Sequence, residues 1–130
     1  MIVVDASVLV VALGDDDDSG HRARTRLRGQ QLVAPELIDL EVLSAWRRLA
    51  ASGSMSAERE RQAVADLSEL RIRRVGHHRF LDRCWELRDN VTIYDAAYVA
   101  LAEQLEVTLV TADARLGAAP GPHCPIEFLA

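Results

Sequence analysis

The feature that most constrains this chain is an alternation: short β-branched, apolar runs recur between segments long enough to be helices. Ile2–Val4, Gln31–Ala34, Ile72–Val75 and Val107–Thr111 read as strands, and Ile126–Leu129 as a fifth. Helical patterns fill the intervals. Ser7 lies near the cap of one running to Leu13, and an arginine-rich stretch covers about His21 to Arg28. Pro35 suits the first turn of a helix reaching Ala51, where Ser52-Gly53-Ser54 ends it. Ser56 can cap a helix to about Leu70, His78 to Arg88 is helical again, and Thr92 caps a strongly periodic helix to about Leu105. Parallel neighbours need crossovers long enough to hold a helix, so this alternation predicts an α/β fold of three layers. A mostly parallel central sheet should be flanked by helices within one domain covering residues 1–130.

The first strand belongs to that sheet and not to a leader segment, because it lacks a basic flank and carries Asp5 inside the apolar run. No apolar run approaches the roughly 20 residues that span a bilayer, so the expectation is a cytoplasmic protein without a membrane anchor. Cys84 and Cys124 have no zinc-ligand spacing and read as reduced, partly buried thiols. The net charge of −5 is unusual for a nucleic-acid protein, which normally carries a basic footprint. Every basic residue other than histidine is an arginine, and there is no lysine. That absence excludes much. Phosphoryl-transfer folds such as receiver domains and haloacid-dehalogenase-like phosphatases also place an acid after the first strand, but they hold the phosphoryl group with a lysine. A dinucleotide-binding domain wants a glycine-rich turn at the same place, where this chain has Asp5-Ala6-Ser7-Val8.

Ligands of open parallel sheets bind beyond the carboxyl ends of the strands, and Asp5 and Asp113 lie at or just after two such ends. Asp95 opens the helix Thr92–Leu105, which can point at the same edge. Glu41 and Asp39 are both in the helix after Pro35, and a helical wheel puts Asp39 nearer the apolar sector, so periodicity does not choose between them. Gathered carboxylates repel one another and resist desolvation, which a hard divalent cation offsets. Each acid also has a plainer role available. Asp95 fits capping-box spacing after Thr92, and Asp113 suits a turn. Asp5 is harder to dismiss, since an acid closing a buried strand needs a partner and no lysine exists to supply one.

Four segments, VVDAS, PELIDLEVL, YDAAYVALA and TLVTAD, together resemble the PIN-domain toxins of the VapBC toxin–antitoxin modules, in family order across nearly the whole chain. The resemblance implies a PIN-like fold and a type II toxin: a ribonuclease that hydrolyses RNA to a 3′-hydroxyl and a 5′-phosphate. It implies that Asp5, Glu41, Asp95 and Asp113 bind Mg2+ or Mn2+, with Glu41 and not Asp39 as the middle acid. It further implies that Ser7 and Thr111 orient Asp5 and Asp113 or a metal-bound water, that the protein is a homodimer, and that a VapB-type antitoxin silences it. The rival is a catalytically inactive PIN-like interaction module, against which the presence of all four acids argues.

Three features lie outside that pattern. Asp15 to Asp18 reads as a solvated loop, or as a screen at the groove entrance or a contact for an arginine-rich partner. Arg22, Arg24, Arg26 and Arg28 spread around a helix, as solvated surface or as contacts for RNA phosphates. Trp46 reads as an anchor of the core or of a dimer interface, not as a base-stacking platform.

Overall fold

The computed structural model describes residues 1–130. Five parallel strands form one sheet: β1 (Ile2–Val4), β2 (Leu32–Pro35), β3 (Ile72–Val75), β4 (Leu109–Thr111) and β5 (Ile126–Phe128). Their order across the sheet is β3-β2-β1-β4-β5. The chain therefore builds outward from β1 to β2 and β3, then returns to the other side of β1 for β4 and β5. The β1–β4 seam is where the direction reverses, the place at which open α/β sheets bind ligands. Val4 faces Val110 across that seam, and the Asp5 N–H donates to the Val110 carbonyl at 2.9 Å, so the chain just past β1 stays fastened to β4.

The inner strands read as continuous apolar runs because both sheet faces are covered. Val3, Val4, Leu109 and Val110 have no exposed surface. One group of helices comprises α1 (Ala6–Gly14), α2 (Asp18–Leu27), α3 (Ile38–Ala51) and α4 (Ala57–Glu69), with α1 touching the other three. The other comprises α5 (Leu81–Glu86) and α6 (Ile93–Leu105), with α6 against β1, β2 and β4. A short α7 (Ala114–Ala118) leads toward β5. Trp46 is a core anchor: it is 3 % exposed and its Nε1–H donates to the Val10 carbonyl at 3.1 Å, tying α3 to α1. Cys84 is buried, Cys124 half-buried, and neither forms a disulfide. No helix is long and apolar enough to cross a membrane.

Ser56 and Thr92 cap α4 and α6 as their positions predict, accepting the N–H groups of Arg59 and Asp95. Several boundaries differ from the sequence reading, each for a local reason. Helix α1 begins at Ala6 with Asp5 at its cap position, so Ser7 is inside the helix and its hydroxyl is free for other partners. Pro35 ends β2, in register with Val75, and the next helix starts only at Ile38. At a strand end the missing proline N–H costs no ladder bond. The stretch 78–88 divides into a single 3-10 turn (His78–Phe80) and α5. Val107 is not in β4, because Glu106 takes a left-handed conformation (φ 55°) and the Val107 N–H closes α6 on the Ala102 carbonyl. Helix α7 was not expected; Asp113 caps it by accepting the Arg115 N–H at 2.9 Å.

The aspartate run is exposed from Asp16 to Asp18, as its composition suggests, and is tied down by specific contacts. The Asp15 carboxylate accepts the N–H groups of Asp17 and Gly20, and α2 already begins at Asp18. Gly20 is obligatory there, since a Cβ would fall 1.9 Å from the Asp15 carbonyl oxygen. Asp16 pairs with Arg59 at 3.1 Å. The α2 arginines are also partly committed: Arg24 donates to the Ala12 and Asp15 carbonyls, and Arg26 pairs with Glu127 at 2.7 Å.

Candidate functional site

Asp5, Glu41, Asp95 and Asp113 line one cleft of about 470 Å³, with Ser7 and Arg48 among its other walls. Four separate elements deliver the carboxylates. Asp5 follows β1, Glu41 is in the first turn of α3, Asp95 is in the first turn of α6, and Asp113 follows β4. The cleft thus lies at the carboxyl edge of the sheet, at the point where the strand order reverses.

Asp5 is the most deeply set, 5 % exposed. Its Oδ2 accepts the hydroxyl protons of Ser7 and of Thr111, the latter at 2.9 Å. The two hydroxyls reach further. Ser7 Oγ accepts the Ala112 N–H at 2.9 Å, and Thr111 Oγ1 accepts the Asp113 N–H at 3.0 Å. Ser7 and Thr111 therefore clip the Asp5 carboxylate to the backbone that carries Asp113.

Three of the acids are held away from their usual ionisation. Burial raises the Asp5 carboxyl despite the two hydroxyl bonds. Glu41 is raised by burial and by repulsion from Asp5 and Asp95, partly offset by a hydrogen bond from Tyr98. Asp95 is pushed up to about 6 by burial and by the charges of Asp5 and Asp113. Cations do little to relieve this crowding: Asp5, Glu41 and Asp95 have no ion pair, and Asp113 has only Arg115 Nε at 3.9 Å. As placed, no three His, Cys, Asp or Glu side chains form a ready-made metal cage. The cleft is instead a set of carboxylate oxygens spread around an open space, a donor set that can hold a hard divalent cation together with its waters.

The structure separates the two acids that periodicity left open. Glu41 lines the cleft, whereas Asp39 is on another face of α3 in a bidentate pair with Arg74, at 2.6 and 2.9 Å. Sequence reasoning missed Tyr98. It is fully buried, and its hydroxyl donates to Glu41 Oε1 at 2.7 Å. A signal existed, because Tyr98 is three residues after Asp95 and so shares its helix face, and a buried tyrosine hydroxyl needs an acceptor.

A model of the PIN domain family matches residues 2–122. The chain is 44 % identical over 128 residues to "Ribonuclease VapC1" of Mycobacterium tuberculosis, covering 98 % of this chain and 96 % of that protein. Its fold is similar to the crystal structure of Mycobacterium tuberculosis VapC20, described as a sarcin-ricin loop cleaving toxin. The TM-score there is 0.69 at 16 % identity, covering 91 % of this chain and 94 % of that one. It is also similar to the crystal structure of PAE2754 from Pyrobaculum aerophilum, with TM-score 0.67 and 26 % identity over 97 % of this chain and 82 % of that one.

Proposed function

This chain belongs to the PIN-domain family, in its VapC branch, and from that premise we propose that it is a Mg2+- or Mn2+-dependent endoribonuclease, the toxin of a type II toxin–antitoxin module. The observation that carries the reading is the gathering of Asp5, Glu41, Asp95 and Asp113 on one cleft with no basic side chain closely paired to them. Phosphate alone would be repelled by such a surface; phosphate with a divalent cation would not.

The four carboxylates would hold the cation. When bound, it makes a water molecule more acidic and offsets negative charge on the phosphoryl oxygens. The chain's own residues set the geometry. Ser7 and Thr111 fix Asp5 Oδ2, and through the Asp113 N–H they couple the ends of β1 and β4. Tyr98 fixes Glu41 Oε1, so a buried phenol and two hydroxyls orient two of the four acids before any ligand arrives. Hydrolysis adds water across the P–O3′ bond and leaves a 3′-hydroxyl and a 5′-phosphate. The protein would act in the cytoplasm, as a homodimer, and be restrained by a VapB-type antitoxin, because an unrestrained ribonuclease harms its own cell. Arginine or lysine from that partner would enter the acidic cleft in place of the metal's charge.

The test is cleavage of total RNA by purified protein with Mg2+, with EDTA, and by Asp5→Asn. Cleavage only by the wild type with metal supports the reading. Equal cleavage in all three overturns it, and Mn2+ binding without any cleavage favours the inactive interaction module.

A further inference from the structure

A second depression, of about 380 Å³, adjoins the acidic cleft and is lined by Arg88, Asp89, Asn90, Asp95, Asp113 and Arg115 among others. Asp95 and Asp113 wall both spaces, so a chain-like ligand crossing the cleft passes directly from one to the other. The two arginines are its basic groups, set among the carboxylates of Asp89, Asp95 and Asp113. Arg26, Arg59, Arg74 and Arg83 each engage a carboxylate at 3.1 Å or less, while Arg48, on the wall of the acidic cleft, has no such partner. Arg88 has no carboxylate partner. Its Nη1 donates to the Trp85 carbonyl at 2.8 Å, and its guanidinium lies 4.5 Å from the centre of the Trp85 ring. Arg115 is 95 % exposed at the side chain, with Asp113 no nearer than 3.9 Å. A guanidinium whose fork is not taken up by a carboxylate matches phosphate oxygens in charge and shape.

We propose that this depression is a nucleotide subsite, in which Arg88 and Arg115 bind the RNA phosphate next to the one being cleaved. The inference rests on the ribonuclease reading above and names the residues that position the substrate. Trp85, 63 % exposed, is a positioning residue: its ring and carbonyl hold the Arg88 guanidinium in place. RNA is favoured over an acidic peptide by continuity. A polynucleotide whose scissile phosphate sits at Asp95 and Asp113 must place a neighbouring phosphate beyond them, whereas a peptide carboxylate has no reason to approach that acidic wall.

The experiment measures kcat and KM for a single-stranded RNA across a salt series for wild type, Arg88→Gln and Arg115→Gln. A parallel series measures binding of a fluorescent RNA in the Asp5→Asn background. Each substitution should raise KM, and weaken binding, by about tenfold while lowering kcat less. Each should also reduce the slope of log affinity against log salt by about 0.7, the loss of one phosphate contact on a single strand. Arg88→Lys should recover the slope but not the whole affinity, because an ammonium lacks the planar fork. Trp85→Leu should raise KM by a smaller factor. Unchanged KM and slope in both arginine variants overturn the subsite while leaving the ribonuclease reading intact. The same follows if the variants lose only the binding of an acidic partner segment. If the wild type does not cut RNA at all, both readings fall.

Discussion

Asp39 and Glu41 are two residues apart on one helix, yet the fold treats them in opposite ways. Asp39 is met by the Arg74 fork from β3 and is neutralised within the protein. Glu41, about 200° around the helix axis at two residues of separation, faces Asp5 and Asp95 and receives only the neutral Tyr98 hydroxyl. One carboxylate belongs to the scaffold. The other is kept available, at a cost in repulsion that a cation from outside can offset. The same division runs through the chain, with Glu103 bound by Arg83 and Glu127 by Arg26 on the scaffold side, and Asp5 and Asp95 on the other.

Replacing acids by amides should separate the two kinds of carboxylate. Asp5→Asn, Glu41→Gln and Asp95→Asn should each lower RNA cleavage by at least about a hundredfold, beyond what loss of a supporting partner brings. Asp39→Asn should keep most activity. A reversed result for positions 39 and 41, read from initial rates at saturating Mg2+, would exchange their roles. Next in size are the supports. Tyr98→Phe and Ser7→Ala should lower activity by roughly tenfold, because each leaves its carboxylate in place but less fixed. Wild-type rates in both would show that those hydrogen bonds serve the core alone.

Asp39→Asn should instead act on stability, losing about 1 kcal/mol for a half-exposed but bidentate pair, measured by urea unfolding. No loss would mean that the Arg74 pair is as dispensable as a surface bridge. A further effect on stability concerns pH. Asp95 ionises near 6 in the folded protein against 3.8 ordinarily, so the folded state binds more protons between those values. Its contribution to metal-free stability is therefore full below about pH 4 and is lost as pH rises through about 6. In EDTA, the wild type should lose more stability than Asp95→Asn over that window. Parallel curves would place the Asp95 carboxyl in ordinary solvent.

How much of this was readable in the sequence depended on range. Asp5, Asp95 and Asp113 were legible because strand ends and a helix start are local signals, and the topology of parallel sheets brings such ends together. Glu41 was not separable from Asp39 by periodicity. What removes Asp39 from the cleft is Arg74, which arrives from a strand 35 residues further on; a helical wheel contains no such partner. Only the pattern shared with other sequences pointed to Glu41. The aspartate run is exposed at Asp16, Asp17 and Asp18, as a solvated loop should be, but its contacts to the Gly20 N–H and to Arg59 of α4 were not readable for a related reason, the second partner being distant in sequence. Asp113 combines two roles that looked exclusive: it lines the cleft and caps α7. Its substitution is consequently a poor test of the cleft, as lost capping and relieved repulsion would oppose each other.

Asp95 serves that purpose better, because the cap of α6 is made by the Thr92 hydroxyl on the Asp95 N–H and survives Asp95→Asn. Whether the crowded carboxylates of the cleft await a divalent cation is measured directly by thermal melting of wild type and Asp95→Asn, each in EDTA and in Mn2+. In EDTA the variant should melt higher, since one repelling charge is gone. Mn2+ should then stabilise the wild type by about 2.7 kcal/mol at a hundredfold excess over Kd, and the variant much less. A variant that melts no higher than wild type in EDTA and gains as much from Mn2+ would contradict the account.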